Sequence, residues 1–150
     1  MVEFYVSLSN HDIAQQVTTM VNTYNRWYTK LSTQALLISS ASYFTEIECN
    51  RVVGCASFVH EYNNYTKIQH ICVLPSHRQR GIAHRLSELA IANSKTEYVY
   101  MTIREDNISS IKLAKSLKFV YIKKHWFRDH WTLTFGRRRE HVGNNYTATM

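Results

Sequence analysis

The chain has 150 residues, 45% of them hydrophobic and 19% charged, which suits one domain with its own core and leaves no room for a second. A formal charge of +7 favours association with something anionic. No apolar run is long enough to cross a bilayer and no signal-peptide pattern is present, so the expectation is a soluble, cytoplasmic protein with no membrane partner. Cys49, Cys55 and Cys72 are odd in number, lack CxxC spacing and fall in strand-like contexts, which reads as reduced core thiols, with no metal site expected.

From the N-terminus, Val2 to Leu8 alternates apolar and polar residues as a first strand does. Ser9 or Asn10 is placed to cap a helix predicted from Asp12 to Tyr28, with Ile13, Val17, Val21, Tyr24 and Tyr28 along one face. A short second helix is expected over Thr33 to Ser40. Tyr43 to Cys49, Val52 to Tyr62 and Tyr65 to Val73 then read as an antiparallel meander turning at Asn50-Arg51 and Asn63-Asn64. Gly54, inside the second of these strands, marks a bulge or a close approach. Gly81 to Ser94 carries Ile82, Leu86, Leu89 and Ala90 at amphipathic spacing. Tyr98 to Ile103 is a strand and Ser109 to Leu117 a helix capped by Asp106 or Asn107. Phe119 to Trp126 and Trp131 to Phe135 form a last hairpin around Phe127-Arg128-Asp129-His130. The predicted organisation is one domain over residues 1–136 and a basic, polar, mobile tail over 137–150. The element order is that of an α/β (α+β) sandwich with a mixed sheet.

The junction after the third meander strand carries the most chemistry. Ile71-x-Val73-x-Pro75 leads into Arg78-x-x-Gly81-x-Ala83 at the start of an amphipathic helix. A helix start leaves backbone N–H groups unpaired and carries partial positive charge, and glycine lets the backbone approach a ligand closely, so phosphate is the natural guest. The loop lacks the Gly-Lys-Ser/Thr of a Walker motif and the three glycines of a dinucleotide fingerprint. Further on, Asn107, Leu113, Leu117 and Phe119 keep the spacing of an Asn-x-x-Ala-x-x-Leu-Tyr-x-x-x-Gly-Phe helix, with Ala114 in the tyrosine position and Lys118 in the glycine position.

In that order and spacing, the two motifs resemble those of the GNAT superfamily of N-acetyltransferases. The resemblance implies a GNAT-like acyl-CoA N-acyltransferase fold: a central, mostly antiparallel sheet of about seven strands, splayed at the CoA site and flanked by about four helices. It implies acetyl-CoA as co-substrate and acetyl transfer to an amine by direct attack on the thioester. By register, the backbones of Ile71, Cys72 and Val73 would bond the pantetheine and supply N–H groups to the developing oxyanion. Arg78, Gln79, Arg80, Gly81, Ile82 and Ala83 would hold the pyrophosphate, and Asn107 and Ser110 would line the other side. Ala114 replaces the phenol that often protonates the departing sulfur, leaving Ser116, Ser110 or water for that work, departure of CoA as the thiolate, or weak catalysis.

The base is less defined. Tyr65, Lys67 and Gln69 share the face from which family bases project, and none is a carboxylate or histidine. If Asn63-Asn64 is a tight hairpin, His60 sits across from Lys67 and shares its face, so His60 is preferred over Glu61 and over His70, which has the opposite parity unless a bulge turns it. Trp27 and Tyr28, and His125, Trp126 and Arg128 in the last hairpin, are candidate substrate contacts. The acceptor stays open among a small amine, a protein lysine or N-terminus, and a nucleic-acid-associated amine, the last suggested by the basic and aromatic C-terminal region with Arg137 to Arg139. A catalytically weak binding module acting on nucleic acid or a protein partner is the alternative, and the chain would work as a monomer or homodimer.

Overall fold

The structure, a computed structural model, describes residues 8–25, 30–61 and 63–139. Helix α1 (Asn10–Tyr24) opens on a capping box in which the Ser9 hydroxyl accepts from the Asp12 N–H and the Asp12 carboxylate accepts from the Ser9 N–H. Ser32 caps the short α2 (Thr33–Ile38) in the same manner through the Ala35 N–H. The predicted first strand, apart from Leu8, and the predicted contacts Trp27 and Tyr28 lie outside the described residues. No helix among the described residues is long and apolar enough to cross a membrane.

Strands β1 (Ser42–Glu48), β2 (Arg51–His60) and β3 (Tyr65–Val73) form the expected antiparallel meander. Glu48 pairs with Arg51, so the first turn is Cys49-Asn50, one residue earlier than predicted, with both residues at positive φ (51° and 60°) as a two-residue hairpin turn requires. Helix α3 (Ile82–Asn93), β4 (Tyr98–Arg104), α4 (Ile108–Ser116), β5 (Val120–Phe127) and β6 (His130–Arg138) complete the chain. The six described strands, against about seven expected, make one sheet in the order β1-β2-β3-β4-β6-β5, antiparallel except between β3 and β4.

β2 is buried without interruption from Val52 to Phe58 because α1 packs on one of its faces and α3 on the other. Gly54 is the close approach: a Cβ there would lie 2.7 Å from Ile82 Cγ2 and 3.2 Å from Leu86 Cδ1, so its absence lets the start of α3 sit down on the sheet. The arginine run is not a mobile tail. Arg137 and Arg138 continue the β6 ladder opposite Val99 and Tyr98, which moves the expected domain boundary at residue 136 outward. Arg137 donates to the Leu117 carbonyl (2.8 Å) and meets Glu88 (3.4 Å), Arg138 pairs with Glu97 (2.7 Å), and Arg139 donates to the Thr96 carbonyl (3.0 Å). These cations are spent on the chain's own acceptors.

Candidate active site

β3 and β4 pair only over Tyr65–Lys67 and Tyr98–Tyr100, and beyond those three rungs they part. The gap is a cleft of about 880 Å³, walled by β3 from Lys67 to Ile71, β4 from Met101 to Arg104, the start of α4 and the β5–β6 turn, with Tyr24 and Asn25 of α1 at its edge. That is room for a sizeable organic ligand.

At one flank lies the basic loop. Gln79 and Gly81 both take positive φ (62° and 76°), and α3 begins at Gly81 with no side chain capping it. Its first-turn amides are therefore left for a ligand or solvent. Ile82 is buried against Gly54, so its contribution is its backbone, and Ala83 follows on the same turn. Arg78 is braced by its Nε donating to the Val73 carbonyl (3.1 Å) and by its guanidinium standing 5.5 Å over the Tyr24 ring. Arg80 donates to the Ser76 carbonyl (3.4 Å). Among the described residues neither arginine pairs with a carboxylate, whereas Arg85, one turn further in, is bidentate to Glu46 (2.8 and 2.9 Å). Two arginines, an uncapped helix start and a left-handed glycine fit a diphosphate.

Along β3 the Leu74 N–H donates to the Val53 carbonyl (2.9 Å), so alternation turns Ile71 and Val73 away from β2 and toward the gap. Their carbonyls accept from Asn25 Nδ2 (3.4 Å) and Arg78 Nε. Cys72 points into the core, its thiol donating to the Met20 carbonyl (3.6 Å) and pushed up to about 11 by burial; Cys55 opposite it is raised further by the same cause. Both are protonated packing groups. Across the gap Asn107 caps α4, its Oδ1 accepting from the Ser110 N–H (3.2 Å), and both residues line the cleft. Ala114 is fully buried in the apolar cluster beneath α4. Ser116 faces α3 instead of the cleft, donating to the Leu113 carbonyl (2.7 Å) with His84 Nδ1 at 3.2 Å.

The bases exchange rank. Glu61 bonds Tyr65, so the second turn of the meander is one residue longer than a two-residue loop, and that slip sends the β2 side chains from Ser57 to His60 to the other face, until the bulge restores the register at Cys55. His60 therefore pairs with Thr66 instead of Lys67, packs on Phe58 (5.2 Å between rings) and accepts from the Lys95 N–H (3.3 Å), away from the cleft. Glu61 also lies off the cleft lining and accepts from the Tyr100 hydroxyl. His70 comes in. β2 pairs Cys55 with Cys72 but Ser57 with Gln69, so His70 and Ile71 oppose Ala56 alone in a bulge, and His70 takes φ 52°. The bulge turns its ring into the cleft wall, where Nδ1 lies 2.6 Å from the Tyr43 hydroxyl and the rings stack at 5.8 Å. Burial, with Lys67 adding to it, pushes the imidazole down to about 4, and burial pushes the Tyr43 phenol up to about 12.

At the far end His125 and Arg128 line the cleft, while Trp126 faces the other side and packs edge-on against Trp131 (5.3 Å), as strand alternation demands. Sequence reasoning missed Tyr43, Asn25, Thr102, Arg104 and Thr132. Thr102 and Arg104 carry a readable signal, polar positions alternating with buried Met101 and Ile103; Tyr43 has none until the β1–β2 register is known.

The model of the acetyltransferase (GNAT) family matches residues 11–119. No curated protein matches the sequence. Among solved structures, smu.2055 from Streptococcus mutans superposes with a TM-score of 0.76 at 14% identity, covering 87% of this chain and 96% of its own. The ribosomal-protein-S18-alanine N-acetyltransferase of Escherichia coli superposes at 0.73 and 14% identity over 93% and 96% of the two chains. yncA from Salmonella typhimurium, solved with its cofactor acetyl-CoA, gives 0.69 and 16% identity over 89% and 91%.

Proposed function

This chain belongs to the acetyltransferase (GNAT) family, and from that premise we propose that it moves the acetyl group of acetyl-CoA to an amine by direct attack in the cleft between β3 and β4. The observation that carries the reading is the uncapped start of α3 at Gly81, flanked by carboxylate-free Arg78 and Arg80, beside two strands that part after three rungs. In the reaction a C–N bond forms as the C–S bond breaks, and the proton lost by the nitrogen ends on the sulfur. Backbone N–H groups on the gap side of β3, Val73 among them, are placed to stabilise charge on the acetyl oxygen, a contribution commonly worth ~10²–10³-fold per donor. His70, neutral at neutral pH, is the proton acceptor in this reading, and Ser110 or water returns a proton to sulfur. Losing the usual phenol at Ala114 costs ~10²–10⁴-fold, which slows a transferase without abolishing it.

The test is CoA release from acetyl-CoA with a panel of small amines, peptides with free N-termini or lysines, and aminoacylated or amine-bearing oligonucleotides. His70→Gln is expected to lower kcat by ~10²-fold while leaving acetyl-CoA affinity unchanged. An unchanged kcat removes His70 as the proton acceptor, and no binding of acetyl-CoA overturns the reading. Buried Ala114 favours one second reading, a module that binds acetyl-CoA without turnover; binding with no CoA release under any acceptor would establish it.

A further inference from the structure

The pairing of Lys67 with Tyr100 in the parallel ladder puts Lys67, Thr102 and Arg104 on one face, and the pairings Arg104–Thr132 and Thr132–His125 carry that face across β6 and β5. The opposite face is the one under α3 and α4, where Ile68, Val99, Met101 and Ile103 are buried with Ala90 and Leu117. The cleft thus opens on the face opposite α3 and α4, where the end of α1 borders it through Tyr24 and Asn25. Among the described residues Lys67 and Arg104 line that face, with the Asp106 carboxylate 3.2 Å from Arg104. Glu61, the nearest acid along β2, is engaged by the Tyr100 hydroxyl. The co-substrate's phosphates do not account for this charge. Their site is at Gly81, and Lys67 lies six residues back along β3 from Val73, ~20 Å at ~3.3 Å per residue.

Building on the acetyl-transfer reading, we infer that the acceptor is a small primary amine bearing an anionic group, a carboxylate or a phosphate, which Lys67 and Arg104 hold on the open side of the cleft. The same cations favour the reaction: they attract the anion and disfavour the ammonium, raising the share of acceptor present as free amine. Lys67 is close enough to help keep His70 neutral, which places it near the proton acceptor as well. The acetyl carbon exchanges its bond to sulfur for a bond to the amine nitrogen, the amine proton passes to the sulfur, and the anionic group takes no part in bond making. A second positive charge on the acceptor, as in a polyamine, meets repulsion instead.

The test is calorimetric binding of O-phosphoethanolamine, β-alanine, ethanolamine and spermidine to the full chain saturated with CoA, repeated with Lys67→Met and Arg104→Gln. At least one anionic amine is expected to bind at least about tenfold more tightly than ethanolamine, with spermidine weakest, and each variant should bring the preference to about threefold or less. The ratio of the phosphate arm to the carboxylate arm identifies the anion. Ethanolamine or spermidine binding as tightly as both anionic amines overturns the inference, as does a protein that binds none of the four, or that binds only a single-stranded oligonucleotide. A preference that survives both substitutions also overturns it. A protein that binds CoA but shows no anion preference sinks this inference alone. One that prefers anionic amines yet releases no CoA from acetyl-CoA sinks the transfer reading alone.

Discussion

His70 is the residue at which backbone, charge and chemistry meet. Its φ of 52° is a conformation that side chains other than glycine enter at a cost, sustained here by the β2–β3 bulge and the Tyr43 hydrogen bond. With the imidazole held near 4 in the fold and near 6.5 in the unfolded chain, the unfolded state takes up the proton first as pH falls. The stabilisation from keeping His70 neutral is therefore complete above about pH 6.5 and is lost progressively down to about pH 4, by at most ~3 kcal/mol. Denaturant unfolding at pH 7.5 and pH 4.5 should show that loss in the native chain and much less of it in His70→Gln. Equal losses in both would mean the folded imidazole titrates normally. The strand containing His70 is legible in the sequence from its alternation, but the bulge is not, because nothing local distinguishes a residue that breaks parity from one that keeps it.

Among the elements, α3 matters most, since its first turn carries the loop that would grip the cofactor. Gly54 sets where that turn rests. In Gly54→Ala the new methyl meets Ile82 Cγ2 at 2.7 Å, and a β-branched side chain packed in the core has no rotamer to retreat into. Overpacking of this kind costs ~1–3 kcal/mol. Because Ile82 follows Gly81 directly, the strain should also lift the loop, so Gly54→Ala is expected to lower Tm and weaken acetyl-CoA binding together, read by calorimetry and titration. A lowered Tm with native affinity would show that the loop is placed by other contacts. The helices and most strands are legible in the sequence because caps and periodicity are local signals, as at Ser9 and Asn107. What is not local is lost. The one-residue slip between Glu61 and Tyr65 removed His60 from the site, and the partners of Arg137 to Arg139 lie in α3, the end of α4 and the segment before β4.

The whole molecule is organised as two apolar clusters that meet at the cleft. One gathers Val17, Val21, Val53, Cys72, Ile82 and Leu86 between α1, β2 and α3; the other gathers Ile68, Val99, Met101, Leu117 and Phe135 under α4, and Ile71 and Phe44 touch both. The Gly81 loop belongs to the first cluster through Ile82, and Asn107 and Ser110 stand over the second. A ligand reaching from Gly81 to Asn107 would therefore bridge β3 and β4 where, beyond their three rungs, no ladder joins those two strands. Binding to the folded state alone at 100 times Kd adds ~2.7 kcal/mol, and a domain of this size gains ~2–4 °C of Tm per kcal/mol, so saturating acetyl-CoA should raise Tm by ~5–10 °C. Gly81→Val is the informative variant. At φ 76° a β-branched side chain is strained, and its bulk stands where the backbone must approach the diphosphate. The variant should start from a lower Tm and show less than half of the ligand-induced rise at the same acetyl-CoA concentration. A full rise in Gly81→Val would mean that acetyl-CoA binds without using the start of α3, and the cleft would then have to be assigned a different cofactor path.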